Sequence, residues 1–332
     1  PLPMPEDVIK LSRGGKLSKL VTSYYFGNAA EQGLAGPNGG FFYDFSENTK
    51  EEKEAGFQIF YSRFDNWHKH GYYKGESLAE VERMIFADEP LEVGIGAEYC
   101  MGGVEINERM ETGVAGLYVA GEAGSGVFGA CRVGDGLVEM MCQGMRAGIG
   151  AADYAVHSGK PQLDETQLDT YLDKIYGIFD HADGMEALEL YHETIKACDE
   201  GFGLIRTEEK LENALRRIEE LKELWKNVTL SGKSKAYNLE WLGALQTENL
   251  LTCCEAGIRA AILRKESRGC HMRKDYPQVD HNHYLVKYVH SQKDHQMHTD
   301  TRKPIVTTMP LPEGTRDSVI QYFQDPGLAY KR

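Results

Sequence analysis

Residues 115–150 carry the residue types with the clearest capacity for chemistry. A short apolar run, Leu117 to Ala120, leads into Gly121, Gly124, Gly126, Gly129, Gly134 and Gly136, six glycines within sixteen residues. Arg132 lies inside that loop, and Leu137, Val138, Met140, Met141 and Met145 follow at helical spacing. The run reads as a buried strand and the later residues as a helix, with Asp135 at its N-cap. Strand, glycine-rich loop and helix N-terminus together let backbone N–H groups approach an anionic ligand closely. A tight strand-to-helix connection also needs glycines. Their number, and the arginine among them, favour a ligand cradle.

Other elements must position that loop. Residues 17–32 read as a helix with Leu17, Leu20, Val21, Tyr24 and Tyr25 inward, ended by Gly33 and the Gly36–Gly40 turn. Phe41 to Tyr43 is a short strand. Residues 47–71 are expected to be helical, with a turn at Tyr72–Gly75 and a second helix near 77–87. Val104 to Asn107 alternates like a half-buried strand. From about residue 158 charged helices take over. They are expected over 164–180, 184–198, 207–228 and 237–264, as three or four antiparallel helices. Leu211, Leu215, Ile218, Leu221, Leu224 and Trp225 form the clearest apolar row, and it reads as core. Beyond Arg268 the chain is polar and histidine-rich, with strands expected near 283–290 and 303–309.

Composition narrows the function. The 332 residues carry a formal charge of −14, which disfavours nucleic acid and anionic membrane surfaces as partners. No apolar run approaches a membrane span, and no signal peptide is visible. The seven cysteines include no Cys-x-x-Cys pair, so free thiols in a reducing cytoplasm are expected. The late histidines His271, His281, His283, His290, His295 and His298 read as hydrogen-bonding or surface residues, and no metal site is expected.

Three ordered blocks carry a family resemblance. Met101-Gly102-Gly103 with Gly116 to Glu122 and Gly129 to Gly134 form the first. Glu266 to Pro277 form the second, and Gly203-Leu204-Ile205-Arg206 the third. They resemble the second half of a succinate dehydrogenase/fumarate reductase flavoprotein. The implied fold is α/β plus α. Residues 1–97 would be a partial capping domain, and 98–157 the second half of a Rossmann-like FAD-binding domain. A helical bundle domain would follow at 158–264, then an extended C-terminal segment at 265–332. The family's dinucleotide-binding Gly-x-Gly-x-x-Gly has no counterpart here. This chain is therefore expected to be either one subunit of a split flavoprotein, with a separate chain bringing that half, or a fragment of a longer chain, and a Pro1 exposed by removal of an initiator Met favours the separate subunit.

The resemblance also implies roles. FAD is the cofactor, with Gly121, Glu122, Arg132, Gly134, Gly136 and Leu137 as its contacts. Gly136 and Leu137 match the helix start that faces the flavin N1 side. Glu122 matches the acidic contact of the ribityl region. Arg132 corresponds to the arginine that binds a substrate carboxylate. Glu98 replaces the family's histidine and would repel a dicarboxylate. Lys19, with Arg13 as second candidate, falls nearest the proton donor, and Phe128 stands where many relatives have histidine. The implied reaction is hydride transfer between flavin N5 and a C=C or CH–CH carbon of a small carboxylate or acyl substrate. Adenylylsulfate reductase-like or amino-acid oxidase-like chemistry and a non-catalytic scaffold are the alternatives. An iron–sulfur protein would exchange the electrons, in the cytoplasm or at a membrane through a partner.

Overall fold

The computed structural model describes residues 18–58, 78–124, 129–131, 136–294, 296–305, 308, 310–318 and 320. Two compact units divide within the first helix, α1 (Ser18–Glu31). One spans residues 25–97 and the other comprises the first 24 residues with everything from Glu98 onward.

In the smaller unit, β1 (Phe41–Tyr43) pairs antiparallel with β2 (Leu91–Val93), Phe42 opposite Glu92. The Glu92 carboxylate accepts from the backbone N–H groups of Asn38 and Gly40, so it closes the glycine turn before β1. A Cβ on Gly40 would stand 2.7 Å from the Val93 carbonyl oxygen, which is why glycine occupies that place. Residues 50–58 are helical, and Phe57 packs edge-on against Phe86 of α2 (Leu78–Phe86). The expected helix starts three residues late, since 47–49 lie in the turn and bend before it, and its part beyond 58 lies outside the described residues with the Tyr72–Gly75 turn.

The larger unit has its main core between three helices, α5 (Ala187–Gly201), α6 (Glu208–Trp225) and α7 (Leu239–Leu263). They start where capping side chains allow. Thr207 accepts from the Lys210 N–H, and Asn238 accepts from the Trp241 N–H. Leu190, Leu211, Ile218, Leu221, Leu251 and Ile258 are fully enclosed. Arg217 pairs with Glu193, and a Cβ on Gly201 would meet the Lys210 carbonyl at 2.5 Å, so α5 and α6 run antiparallel. Arg259 pairs with Glu219 while Trp225 Nε1 donates to the Ala244 carbonyl, so α6 and α7 do too. The fourth expected helix is α4 (Glu165–Gly177), capped by Asp164. No residue of α4 is buried, and its Leu168, Tyr171 and Leu172 are exposed, so it lies at the margin. Leu224 also leaves the expected row and is exposed, because the enclosed face follows Leu211, Ala214, Ile218 and Leu221.

Two strand expectations are corrected. Leu117 to Ala120 is no strand: Tyr118 makes a single bridge to Glu111, and Leu117 is exposed. Val104 to Asn107 likewise reduces to one parallel bridge from Val104 to Gly124. The apolar alternation is present, but among the described residues no neighbouring strand extends these bridges into a ladder.

Past α7 the chain is more structured than an extended segment. β3 (Ile205–Arg206) pairs parallel with β4 (Met272–Arg273), over a small core of Tyr24, Ile205, Met272 and Ile320. β5 (Gln278–Asp280) pairs with β8 (Thr315–Asp317), and α8 (His281–Tyr284) follows β5. β6 (Lys287–Lys293) and β7 (Gln296–Arg302) form a hairpin, where strands at 283–290 and 303–309 were expected. Among the described residues no helix is long and apolar enough to cross a membrane.

The turn from α7 to β5 is held by buried charge. Arg273 is wholly enclosed. It meets Asp275 with two bonds of 2.8 Å, donates to the Ala261 carbonyl at 2.8 Å, and stacks on Tyr276 at 4.8 Å. Asp275 also accepts the Glu208 N–H at the start of α6, and its carboxyl is lowered, against its own burial, by Arg273 and that N–H. Removing the wholly enclosed guanidinium would leave a cavity and a buried Ala261 carbonyl without its donor. Arg273→Ala is therefore expected to lower unfolding free energy by about 2–4 kcal/mol, read from urea midpoints. Arg217→Ala, a partly exposed pair, should cost under about 1 kcal/mol.

Candidate functional site

The site region is built on helix α3 (Gly136–His157), whose first two turns carry two buried polar side chains on an otherwise apolar helix start. Glu139 and Gln143 stand one turn apart on the same face. Gln143 Nε2 donates to Glu139 Oε1 at 3.0 Å. The Tyr99 hydroxyl donates to Glu139 Oε2 at 2.6 Å. The Gly121 N–H donates to Gln143 Oε1 at 2.7 Å. Every link is a buried or half-buried bond, so the chain fixes the segment after Glu98 and the segment before Glu122 against one helix.

A second clasp joins those segments directly. Glu122 Oε1 accepts the Cys100 N–H at 2.7 Å, and the Val104 N–H donates to the Ala123 carbonyl at 2.9 Å. Gly103 is needed there, because a Cβ would sit 2.5 Å from the Ala123 oxygen. Gly121 has φ +76°, and its Cβ would meet Met140 at 2.8 Å. Glu98 is exposed at the outer end of the same segment, and Leu137 is exposed on the first turn of α3.

The loop then meets the segment after α7. The Cys270 N–H donates to the Ala130 carbonyl at 3.0 Å, and Gly269, with φ +57°, has room for no Cβ: one would lie 2.1 Å from that oxygen. The Cys270 thiol faces Cys131 and lies within electrostatic reach of Glu98 and Arg206. Burial foremost, then the Cys131 thiol, pushes Cys270 up to about 11. Arg206 stacks 4.2 Å from the Phe202 ring and donates from Nε to the Gly203 carbonyl and from Nη1 to His271 Nδ1, 3.0 Å away. Burial lowers Arg206 to about 10. His271 Nε2 donates to the Arg264 carbonyl at 3.0 Å. Burial and the neighbouring Arg206 push His271 down to about 3, so it stays the neutral imidazole.

The structure thus brings together Glu98, Gly121, Glu122, Gly136 and Leu137 of the expected site. Arg132 and Gly134, with Asp135 and Phe128, lie outside the described residues, as do Arg13 and the side chain of Lys19 in the first turn of α1. Sequence reading missed Tyr99, Glu139 and Gln143. Their one signal was a Glu and a Gln four residues apart in an apolar helical run. Three further late histidines have protein partners: His281 meets Arg268, His283 meets Asp280 and His290 meets Thr299.

Fold and site together define part of a flavoprotein. Residues 70–136 match the model of the FAD binding domain, and residues 192–318 match that of the fumarate reductase flavoprotein C-terminal region. The chain is 32% identical over 214 residues to the fumarate reductase flavoprotein subunit of Haemophilus influenzae, covering 63% of this chain and 36% of that protein. It is 33% identical over 193 residues to the fumarate reductase flavoprotein subunit of Proteus vulgaris, covering 57% and 32%. Among solved structures, the Mycobacterium smegmatis Sdh1 complex in the apo form matches at 29% identity and TM-score 0.74, over 91% of this chain and 48% of that one. Adenylylsulfate reductase of Archaeoglobus fulgidus shares the fold at TM-score 0.62 and 14% identity, over 91% and 54%. Over the matched residues the chain is similar to the succinate dehydrogenase/fumarate reductase flavoprotein family, and FAD is the cofactor these matches assign. It spans about a third of the length of the curated relatives it matches.

The neutral His271 makes stability depend on pH. Unfolded, the imidazole binds a proton near its usual 6.5, whereas folded it does so only near 3. The unfolded chain therefore holds more protons between those values, and stability is lost as pH falls from about 6.5 toward 3. His281 and His290, both lowered by burial, act in the same direction. His271→Gln should reduce the slope of unfolding free energy against pH by up to about one proton, measured by urea titrations across that range.

Proposed function

We propose that this chain supplies the redox-end half of the FAD site in an oxidoreductase of the succinate dehydrogenase/fumarate reductase type. The observation that carries this is the Glu139–Gln143 network, which draws the Glu98–Cys100 segment and the Gly121–Glu122 turn onto the start of α3. The residues present fit that end of the cofactor. Gly103 and Gly121 allow a close backbone turn that a Cβ would block, and the first turn of α3 has N–H groups the helix itself cannot pair.

When bound, FAD supplies a hydride donor and acceptor at N5. The protein residues then do the rest. The N–H groups of Gly136 and Leu137 would hold the flavin ring by favouring negative charge there, and Glu122 would hold the ribityl region. Arg132 holds the substrate carboxylate, and Lys19 gives its Nζ proton to a substrate carbon. These side chains of Arg132 and Lys19 lie outside the described residues, and family resemblance supports their roles. Glu98 keeps an acid where the relatives carry histidine, which favours a monocarboxylate or acyl substrate over a dicarboxylate.

The dinucleotide-binding half of such a site lies outside this sequence, and it would pack against α3. Supporting this, α3 presents Leu137, Met141, Met145 and Ile149 to solvent at 64–75% exposure, an apolar row of the kind that a protein partner covers. Residues 98–157 would then complete the FAD-binding domain, 25–97 would form part of the cap, and an iron–sulfur protein would exchange the electrons.

Co-expression with a chain that opens with strand, Gly-x-Gly-x-x-Gly and helix should yield a complex with the visible absorption bands of flavin. A complex without them overturns this reading. In that complex, with a reduced viologen as donor, Arg132→Ala should lower kcat/KM for crotonate by about 10²–10³-fold. Glu98→Gln should raise kcat/KM for fumarate by about tenfold relative to crotonate, through loss of like-charge repulsion. An unchanged ratio removes Glu98 from substrate selection.

A further inference from the structure

Two cysteines outside the flavin region stand in contact. Cys198, in the last turn of α5, and Cys254, in the middle of α7, have their sulfurs 3.3 Å apart. The approach is dictated by packing. Leu190, Ala197, Leu251 and Ile258 enclose the same helix pair, and about one turn further on the ring of Phe202 fills the space a Cβ on Gly257 would need. A disulfide has its sulfurs at about 2.05 Å, so the pair must close by about 1.2 Å, within reach of small side-chain rotations.

The two thiols differ in access. Cys198 is half-buried at the rim, and Cys254 is buried behind it. Cys253 is the next residue but points to solvent, because successive helical side chains are about 100° apart. Contact with Cys254 lowers the Cys198 thiol, while the same contact and burial raise Cys254.

We propose that Cys198 and Cys254 form a peroxide-reactive dithiol, a modification site that cross-links α5 to α7. The Cys198 thiolate attacks one oxygen of hydrogen peroxide. An S–O bond forms, the O–O bond breaks, and the leaving hydroxide takes a proton to become water. The sulfur is oxidised by two electrons and the peroxide reduced by two. The Cys254 sulfur then attacks the sulfenic sulfur. The S–S bond forms, the S–O bond breaks, and hydroxide leaves as a second water with the proton Cys254 gives up. A small-molecule thiol reverses the bond by exchange. The site does not depend on the flavin reading, and added hydrogen peroxide tests it directly.

The experiment uses the purified full chain, reduced, desalted and given a few equivalents of hydrogen peroxide. Remaining thiols are alkylated and the peptides mapped by mass. A disulfide between Cys198 and Cys254, formed before the exposed Cys100 and Cys142 are oxidised and removed by dithiothreitol, is expected. Cys253→Ser should keep that bond, and Cys254→Ser should leave a Cys198 sulfenic acid captured by dimedone. The oxidised wild type should melt about 5–10 °C higher than the reduced form, a shift absent from Cys254→Ser, because the bond closes a long loop. A cross-link lost in Cys253→Ser overturns the proposal. So does a Cys198 that stays alkylatable in wild type after the exposed thiols have reacted.

Discussion

Glu266 is 1% exposed, and its two carboxylate oxygens accept hydrogen bonds from Arg264, from Arg268 twice, and from the Asp280 N–H. A buried carboxylate is tolerated only when its charge and lone pairs are met in full, and here they are. That constraint sets the path of the chain after α7. It ties the helix end to β5, turns residues 267–273 back over the helical core, and presents Gly269 and Cys270 to Ala130. Arg264 extends the network to the carbonyls of Tyr284 and Val286, so the hairpin β6–β7 is aimed by the same charges. The wholly buried Arg273 pairs with the more exposed Asp275, which accepts the N–H of Glu208 and so anchors the turn to the first residue of α6.

The block that carries the family resemblance, Glu266 to Pro277, therefore owes most of its polar residues to architecture. Ser267 accepts from the Arg273 N–H and donates within the turn, and Arg268 reaches His281. Gly269 and Cys270 face Ala130 of the flavin-region loop, His271 follows them, and their contribution is geometric. Gly269 admits the Ala130 carbonyl at a distance no side chain would allow, and His271 holds Arg206 in place as a neutral acceptor. The glycine loop is thus supported from two sides, by the polar network of α3 and by the charged turn after α7.

The exposed apolar row of α3 has a different origin. α5, α6 and α7 bury their apolar faces against one another, whereas α3 buries Glu139 and Gln143 and leaves Leu137, Met141 and Met145 outside. A helix that buries its polar face and exposes its apolar one is half of a packing arrangement. The same imbalance explains why Leu117 to Ala120 has strand composition and only one bridge.

The helices were legible in the amino-acid order, because a period of 3.6 residues and side-chain caps at Asp164, Thr207 and Asn238 are local physics. So was the need for glycine at Gly121 and Gly129, which both take positive φ, a conformation that favours glycine whatever the fold. Partners were not legible. Leu224 and Leu168 have the pattern of core residues, yet their exposure depends on which neighbouring helices arrive. The strand at Leu117 failed for the same reason: pairing is a property of two segments, and alternation reports only one. Glu139, Gln143 and Tyr99 became site-building residues only when α3, the segment after Glu98 and the turn at Gly121 met in space. Tertiary structure decided that meeting, because a buried hydrogen bond between residues 40 apart leaves no periodicity in the chain that makes it.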